Sequence, residues 1–249
     1  MASSDSDSST IATALHAGGD PRLLDNPIWN SLNTEHRALA VGDGLARKFP
    51  FEIGPLSGLI EQSAAAYEAL RSLTGMDGIA AQFLESAPQV LPGWELIRGG
   101  LMSQMIWSEV ACPRVTALPE DVALRPLTSE DVPAMRELAE LTEPGPFGKR
   151  TIELGAFFGL FGAGRLLAMA GQRLRLPGFV EVSAVCTRPE ARGRGYASVL
   201  MSEVMAHIVR GGSIPMLHVF AANESAIRVY EALGFRQRRS LHLAVLKPV

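Results

Sequence analysis

Apolar positions in the second half of the chain switch between continuous or alternating runs and helical spacing, and the switches mark the elements. Phe179 to Thr187 is rich in valine and is bounded by Pro177-Gly178 and Arg188-Pro189, which break regular pairing, so a strand is predicted there. From Tyr196 the period changes. Tyr196, Val199, Leu200, Val204 and Ile208 recur at helical spacing until Gly211-Gly212 stops the pattern. Met216 to Phe220 predicts a second strand, and Asn223 caps a helix that sets Ala226, Ile227, Tyr230 and Leu233 on one face before Gly234. Strand, helix and strand joined in this way form a right-handed crossover between parallel strands. Upstream, Val122 to Leu127 reads as a short strand, and Thr128-Ser129-Glu130-Asp131 opens a helix from Val132 to Leu141 with only a partial capping box. Strands at Ala156–Phe161 and Arg165–Leu176 flank a Gly162-Ala163-Gly164 hairpin turn, and Ser240–Lys247 completes the sheet.

The first half is patterned less clearly. Helices are predicted at Ile28–Leu39, at Ser57–Leu73 and near Met76–Glu85, and Leu96–Val110 alternates loosely as one or two strands. Residues 1–20 begin with a Ser/Asp-rich run that favours a frayed or disordered end. Cys112–Asp121 carries two prolines and a break in composition, which marks a linker and divides the chain into 21–118 and 119–249. The fold class expected is α/β (α+β): a mixed, mostly antiparallel sheet with one parallel pair and flanking helices, preceded by a smaller α/β domain.

Composition narrows the classes. The chain has 249 residues, 47% hydrophobic and 20% charged, with a net charge of −3, values of an ordinary soluble globular protein. That balance argues against nucleic acid as the main partner. No apolar run is long enough to span a bilayer, Asp5 and Asp7 stand where a signal peptide carries cations, and two cysteines build no framework, so a reducing, cytoplasmic setting is expected. The histidines are scattered without metal-ligand spacing, and no metal is expected.

The chemistry concentrates at Arg192-Gly193-Arg194-Gly195-Tyr196-Ala197, between the predicted strand and helix. Glycines admit close approach of a ligand to the backbone, and the free N–H groups and dipole of a helix start favour an anion such as a pyrophosphate, with Arg188, Arg192 and Arg194 adding charge. A P-loop would need Gly-Lys-Ser/Thr where Tyr196-Ala197 stands, and a dinucleotide fold would need an acidic residue where Phe220-Ala221-Ala222-Asn223 stands.

Arg192, Gly195 and Ala197 fit the Arg/Gln-x-x-Gly-x-Gly/Ala signature of the GNAT superfamily of acyl-CoA-dependent N-acyltransferases, and the run from Asn223 through Ala226 and Tyr230 to Gly234-Phe235 resembles that superfamily's closing helix. The resemblance covers 122–249 and is most similar to the glycine N-acyltransferase-like branch; the first half then reads as a degenerate GNAT half or as a helical cap. It implies acetyl-CoA as acyl donor, gripped by Arg192, Gly193, Arg194, Gly195, Tyr196 and Ala197, with Val185, Cys186 and Thr187 along the pantetheine arm beside Asn223, Ala226 and Tyr230. A backbone N–H near Val185 would polarise the thioester, and Tyr230 would protonate the leaving thiolate, or only pack its ring. Glu181, eleven residues before Arg192 in an apolar strand, is a candidate general base with a raised pKa; pairing with Arg173 or Arg175, with water as base, is the other reading. Glu143–Thr151 resembles the superfamily's acceptor loop, or is a proline-stiffened connector. Phe147, Lys149, Arg150 and His218 are the candidate acceptor contacts, for a small amine or amino acid, or alternatively a protein N-terminus or lysine. A non-catalytic CoA-binding module is the competing class.

Overall fold

The computed structural model describes residues 19–89, 92–108, 117–143 and 145–249, so most of the frayed segment and linker residues 112–116 lie outside it. In chain order the elements are helix α1 (Pro27–Asn33), strands β1 (Ala46–Lys48) and β2 (Ser57–Leu59), helix α2 (Ala64–Thr74), strands β3 (Ala80–Leu84), β4 (Trp94–Trp107) and β5 (Val122–Pro126), helix α3 (Val132–Thr142), strands β6 (Phe157–Gly162), β7 (Arg165–Leu176) and β8 (Phe179–Thr187), helix α4 (Tyr196–Arg210), strand β9 (Ile214–Phe220), helix α5 (Glu224–Ala232) and strand β10 (Phe235–Pro248).

Eight of the strands form one sheet in the order β3-β10-β4-β9-β8-β7-β6-β5. Every neighbour pairs antiparallel except β8 with β9, the pair joined by the crossover through α4. The expected mixed α/β sheet is therefore present. The sheet draws strands from both sides of the expected linker. β4 lies between β9 and β10, and β3 pairs the far edge of β10, so residues before and after the proline-rich segment share one sheet. Long pairing holds β4 in place: it runs beside β10 from Trp94↔Pro248 to Trp107↔Phe235, and the Trp107 indole donates to the Leu233 carbonyl (3.0 Å).

Three predicted helices are corrected. The stretch near Met76–Glu85 is strand β3, wholly buried, because pairing with β10 overrides the helix preference of Ala80, Ala81, Gln82 and Leu84. The helix predicted from Ser57 begins only at Ala64, where the Ser63 hydroxyl accepts from the Ala66 amide, and Ser57–Leu59 is β2. The helix from Ile28 ends at Asn33.

The two faces of the sheet bury different cores. Leu200, Met201, Val204 and Ile208 of α4 pack with Val180, Val182, Leu217 and Val219 on one face. On the other, Leu24, Ile28, Phe49 and Ile53 from the first half cover Leu174, Phe179 and Met216. The first half thus supplies two strands of the sheet and, through the segments before β3, a layer over one of its faces.

Candidate active site

The parallel pair comes apart. β8 and β9 pair at Phe179↔Ile214, Val180↔Pro215 and Glu181↔Met216, and no register pair continues beyond Glu181. At the same place β8 loses register with β7 between Ser183↔Gly171 and Cys186↔Met169, and Ala184 takes φ 51°, a left-handed conformation that costs energy for a residue with a Cβ. This bulge turns the end of β8 away from β9. Into the gap opens a cleft of about 730 Å3, lined by Val182, Ser183, Ala184 and Val185 on one side and Leu217, His218, Val219 and Phe220 on the other. Since odd and even positions of these strands serve opposite cores, the cleft passes through the sheet from the α4 face to the face covered by the first half. Cys186 and Thr187 are not among the residues that line this cleft. The Cys186 side chain packs against Met135 and Leu138 of α3, and burial pushes the thiol up to about 12. Thr187 is half-buried, and its carbonyl accepts from Arg192 Nε (3.4 Å).

The glycine-arginine turn follows directly. Arg192, Gly193, Arg194 and Gly195 are all exposed. Gly193 and Gly195 have φ of 77° and 76°, which a side chain resists, and a Cβ at either would meet no atom within 4 Å, so open space faces the turn. Among the described residues, the amides of Gly193, Arg194 and Gly195 donate to no backbone or side-chain acceptor. Gly195 is the N-cap of α4, so the amides of Tyr196, Ala197 and Ser198 start the helix without intrahelical acceptors. The Tyr196 ring is buried in the core, leaving only its backbone for a ligand. Arg188 departs from the sequence reading: it is 5% exposed, donates to the Leu166 carbonyl (2.7 Å) and pairs with Glu137 (2.6 Å), and so adds no charge to the turn.

Helix α5 closes the same end of the cleft. Asn223 Oδ1 accepts from the Ala226 amide (3.2 Å), fixing the start of the helix, and both Asn223 and Tyr230 line the cleft. Ala226 packs with Tyr230 against the α4-side core. Tyr230 stacks edge-on to Phe235, its hydroxyl has no partner among the described residues, and burial raises the phenol above its ordinary range.

Glu181 corrects the expectation of a raised pKa. Burial would raise it, but the Arg173 guanidinium and the His218 ring hold the carboxyl down to about 2. Arg173 forks onto it through Nε (2.8 Å) and Nη2 (2.5 Å), and His218 Nδ1 lies 2.7 Å from Oε1. The ring's tautomer follows from the next shell. Gln104 is oriented by Arg238, which donates to its Oε1 (2.9 Å), and by the Leu24 carbonyl, which accepts from its Nε2 (2.9 Å). The amide nitrogen therefore faces His218 Nε2 at 3.0 Å, so Nε2 accepts and Nδ1–H donates to Glu181. Both Glu181 oxygens are engaged, and the partner across the strand is Arg173 rather than Arg175, which pairs with Glu35 (3.9 Å).

The acceptor-loop residues divide. Phe147 and Lys149 line a smaller hollow of about 410 Å3 that shares Gly54, Pro55, Ile79 and Pro146 with the main cleft. Arg150 lines neither hollow: it is half-buried and forked onto Glu153 (2.7 Å twice), so the structure does not bring it to the other expected acceptor contacts. His218 borders the main cleft, but its side chain is fully buried between Glu181 and Gln104. The walls that sequence reasoning missed come from the first half: Phe49, Ile53, Leu56, Ala81, Phe83 and Met102. Short elements with no chemistry-bearing motif gave no signal for them. The Arg238-Arg239 pair of β10 is a further feature that gave no signal. Both arginines bind Asp25 (2.6 and 2.8 Å), tying the first half to β10.

A sheet parted at its one parallel pair, with an exposed glycine turn opening the crossover helix, defines the class of an acetyltransferase-type fold. Residues 157–243 match the family described as FR47-like protein. A crystal structure of a protein from Novosphingobium aromaticivorans assigned to the GNAT family as an acetyltransferase is 38% identical, with a TM-score of 0.82 over 93% of this chain and all of that one. The chain belongs to the GNAT family. A GCN5-related N-acetyltransferase from Kribbella flavida (16% identity, TM-score 0.59, 87% of this chain and 93% of that one) and a GCN5-related N-acetyltransferase-like protein from Streptococcus suis (12%, 0.53, 97% and 99%) share the fold. No curated protein matches the chain. Among the described residues no helix is long and apolar enough to cross a membrane.

Proposed function

We propose that the chain transfers an acetyl or other short acyl group from a coenzyme A thioester to a primary amine by direct attack within a ternary complex. The observation that carries this reading is the pairing of two features at one end of the sheet: the exposed turn with unpartnered amides from Gly193 to Gly195, and the cleft left where β8 and β9 part. The residues present fit the donor. Amides at the head of α4 suit a diphosphate, with Arg192 and Arg194 beside them, and the unpaired edge of β8 from Val182 to Val185 offers backbone groups to an extended amide-bearing arm.

The thioester supplies an activated carbonyl, and the chain supplies placement and protons. A backbone N–H near Val185 stabilises charge on the carbonyl oxygen, a contribution of ~3 to 4 kcal/mol for a donor of this kind. As the amine nitrogen bonds to the carbonyl carbon, the C–S bond breaks and the thiolate takes the Tyr230 phenol proton. Burial, which raises that phenol's pKa, keeps it protonated for the purpose. Glu181 is occupied by Arg173 and His218, so the amine's proton passes to water in the cleft, and water returns a proton to the Tyr230 phenolate. The acceptor enters from the face covered by the first half.

Release of free thiol from acetyl-CoA in the presence of an amine panel tests the reading. Turnover with at least one amine, lost in Tyr230→Phe while CoA affinity persists, supports it. CoA binding without turnover for every amine would identify a binding module instead.

A further inference from the structure

We infer that the acceptor is an apolar α-amino acid, an amine that carries both a carboxylate and a hydrocarbon side chain, and that Arg173 holds its carboxylate. This rests on the acyltransferase reading and narrows it.

Arg173 lines the main cleft with its side chain 25% exposed. Glu181 takes Nε and Nη2, and Nη1 has no partner among the described residues. The guanidinium also lies over the Phe83 ring, 5.5 Å from its centroid. Its orientation is fixed in depth, because Glu181 is held by His218, His218 by Gln104, and Gln104 by Arg238. A fork locked before ligand arrives loses little side-chain freedom on binding. A planar guanidinium with one free N–H edge is suited to a carboxylate oxygen.

The rest of the lining sets the other half of the ligand. Phe49, Leu56, Phe83 and Met102 present hydrocarbon. The charged side chains of this lining are Arg98, Arg173 and Glu143, and Glu143 sits exposed at the end of α3. Glu181 is fully buried and does not line the cleft. A second ammonium, as in a polyamine or a lysine side chain, would meet guanidinium groups and hydrocarbon with no free carboxylate deep in the cleft, which is unfavourable. A carboxylate beside the reacting amine, with an aliphatic or aromatic tail, satisfies each wall.

The test is thiol release from acetyl-CoA by the whole chain with matched acceptors: leucine and phenylalanine, their decarboxylated amines isoamylamine and phenethylamine, and spermidine. The expected result is a kcat/KM for each amino acid at least about tenfold above that of its decarboxylated amine, with spermidine slowest. Arg173→Lys keeps the charge opposite Glu181 but loses the fork, and the ratio should fall towards one. Equal rates with and without the carboxylate, or a preference for spermidine, overturn the inference while leaving acyl transfer intact. Absence of thiol release for every acceptor, with CoA still bound, overturns the acyltransferase reading and this inference with it.

Discussion

The two mouths of the cleft are built in opposite ways. The side facing α4 and α5 comes from one continuous stretch, Phe179 to Phe235, in which strand, turn, helix, strand and helix follow without interruption. The side facing the first half is assembled from pieces far apart in the chain: the segment Phe49–Leu56, strands β3 and β4, the loop after α3, Arg173 and the end of β10. Bonds across long separations hold it, as when the Thr151 hydroxyl donates to the Ile53 carbonyl (2.6 Å) and the Arg150 amide to the Glu52 carbonyl (2.9 Å). A local construction fixes one ligand part by backbone geometry. A composite one lets many side chains vary independently, which suits the part of a reaction that differs between related enzymes.

The contrast can be broken most severely at Tyr230, where the two sides meet. Tyr230→Phe should lower kcat by ~10²-fold or more while the Kd for CoA stays the same; steady-state kinetics beside calorimetry reads both, and an unchanged kcat would leave the ring as packing only. The composite side should yield first to acid. His36 joins the halves, with Nε2–H donating to the Leu154 carbonyl (3.0 Å) and Nδ1 accepting from the Ser31 hydroxyl (3.0 Å), and burial lowers its pKa from 6.5 to about 4. The unfolded chain therefore takes up this proton near 6.5 and the folded chain only near 4. Its contribution is complete above pH 6.5 and declines as pH falls towards 4, by on the order of 3 kcal/mol. Chemical denaturation at pH 7, 6 and 5 should show that slope, and His36→Gln should flatten it.

Smaller effects should separate the sides cleanly. Gly195→Ala forces a Cβ into φ 76°, a cost of ~1–2 kcal/mol, so the Kd for acetyl-CoA should rise about tenfold with the acceptor KM unmoved. Arg194→Gln removes one exposed charge worth up to ~1 kcal/mol, a loss of a few-fold in CoA affinity that added salt should erase.

The same contrast explains what was legible in the sequence. On the local side, glycine spacing and helical period give the places of the turn, Tyr230 and the crossover directly, because each place depends on neighbours within a few positions. The bulge at Ala184 could not be read from residue type, since it follows from how β8 shifts against β7. Glu181 shows the limit most sharply. Its position in an apolar strand promised a raised pKa, but the guanidinium of Arg173, eight residues earlier on the neighbouring strand, reverses the direction. On the composite side, β3 has a helix former's composition and is a strand because β10 offers it an edge. The link from Arg238 and Arg239 to Asp25 left no trace in the local pattern, because these residues stand over two hundred positions apart.

The central claim is that amides at the head of α4 grip a diphosphate and so aim a thioester into the gap between β8 and β9. Titration calorimetry with CoA and with pantetheine, which carries the same thiol arm without the diphosphate, tests it most directly. The account predicts that CoA binds about a hundredfold more tightly than pantetheine; equal affinities for the two would contradict it.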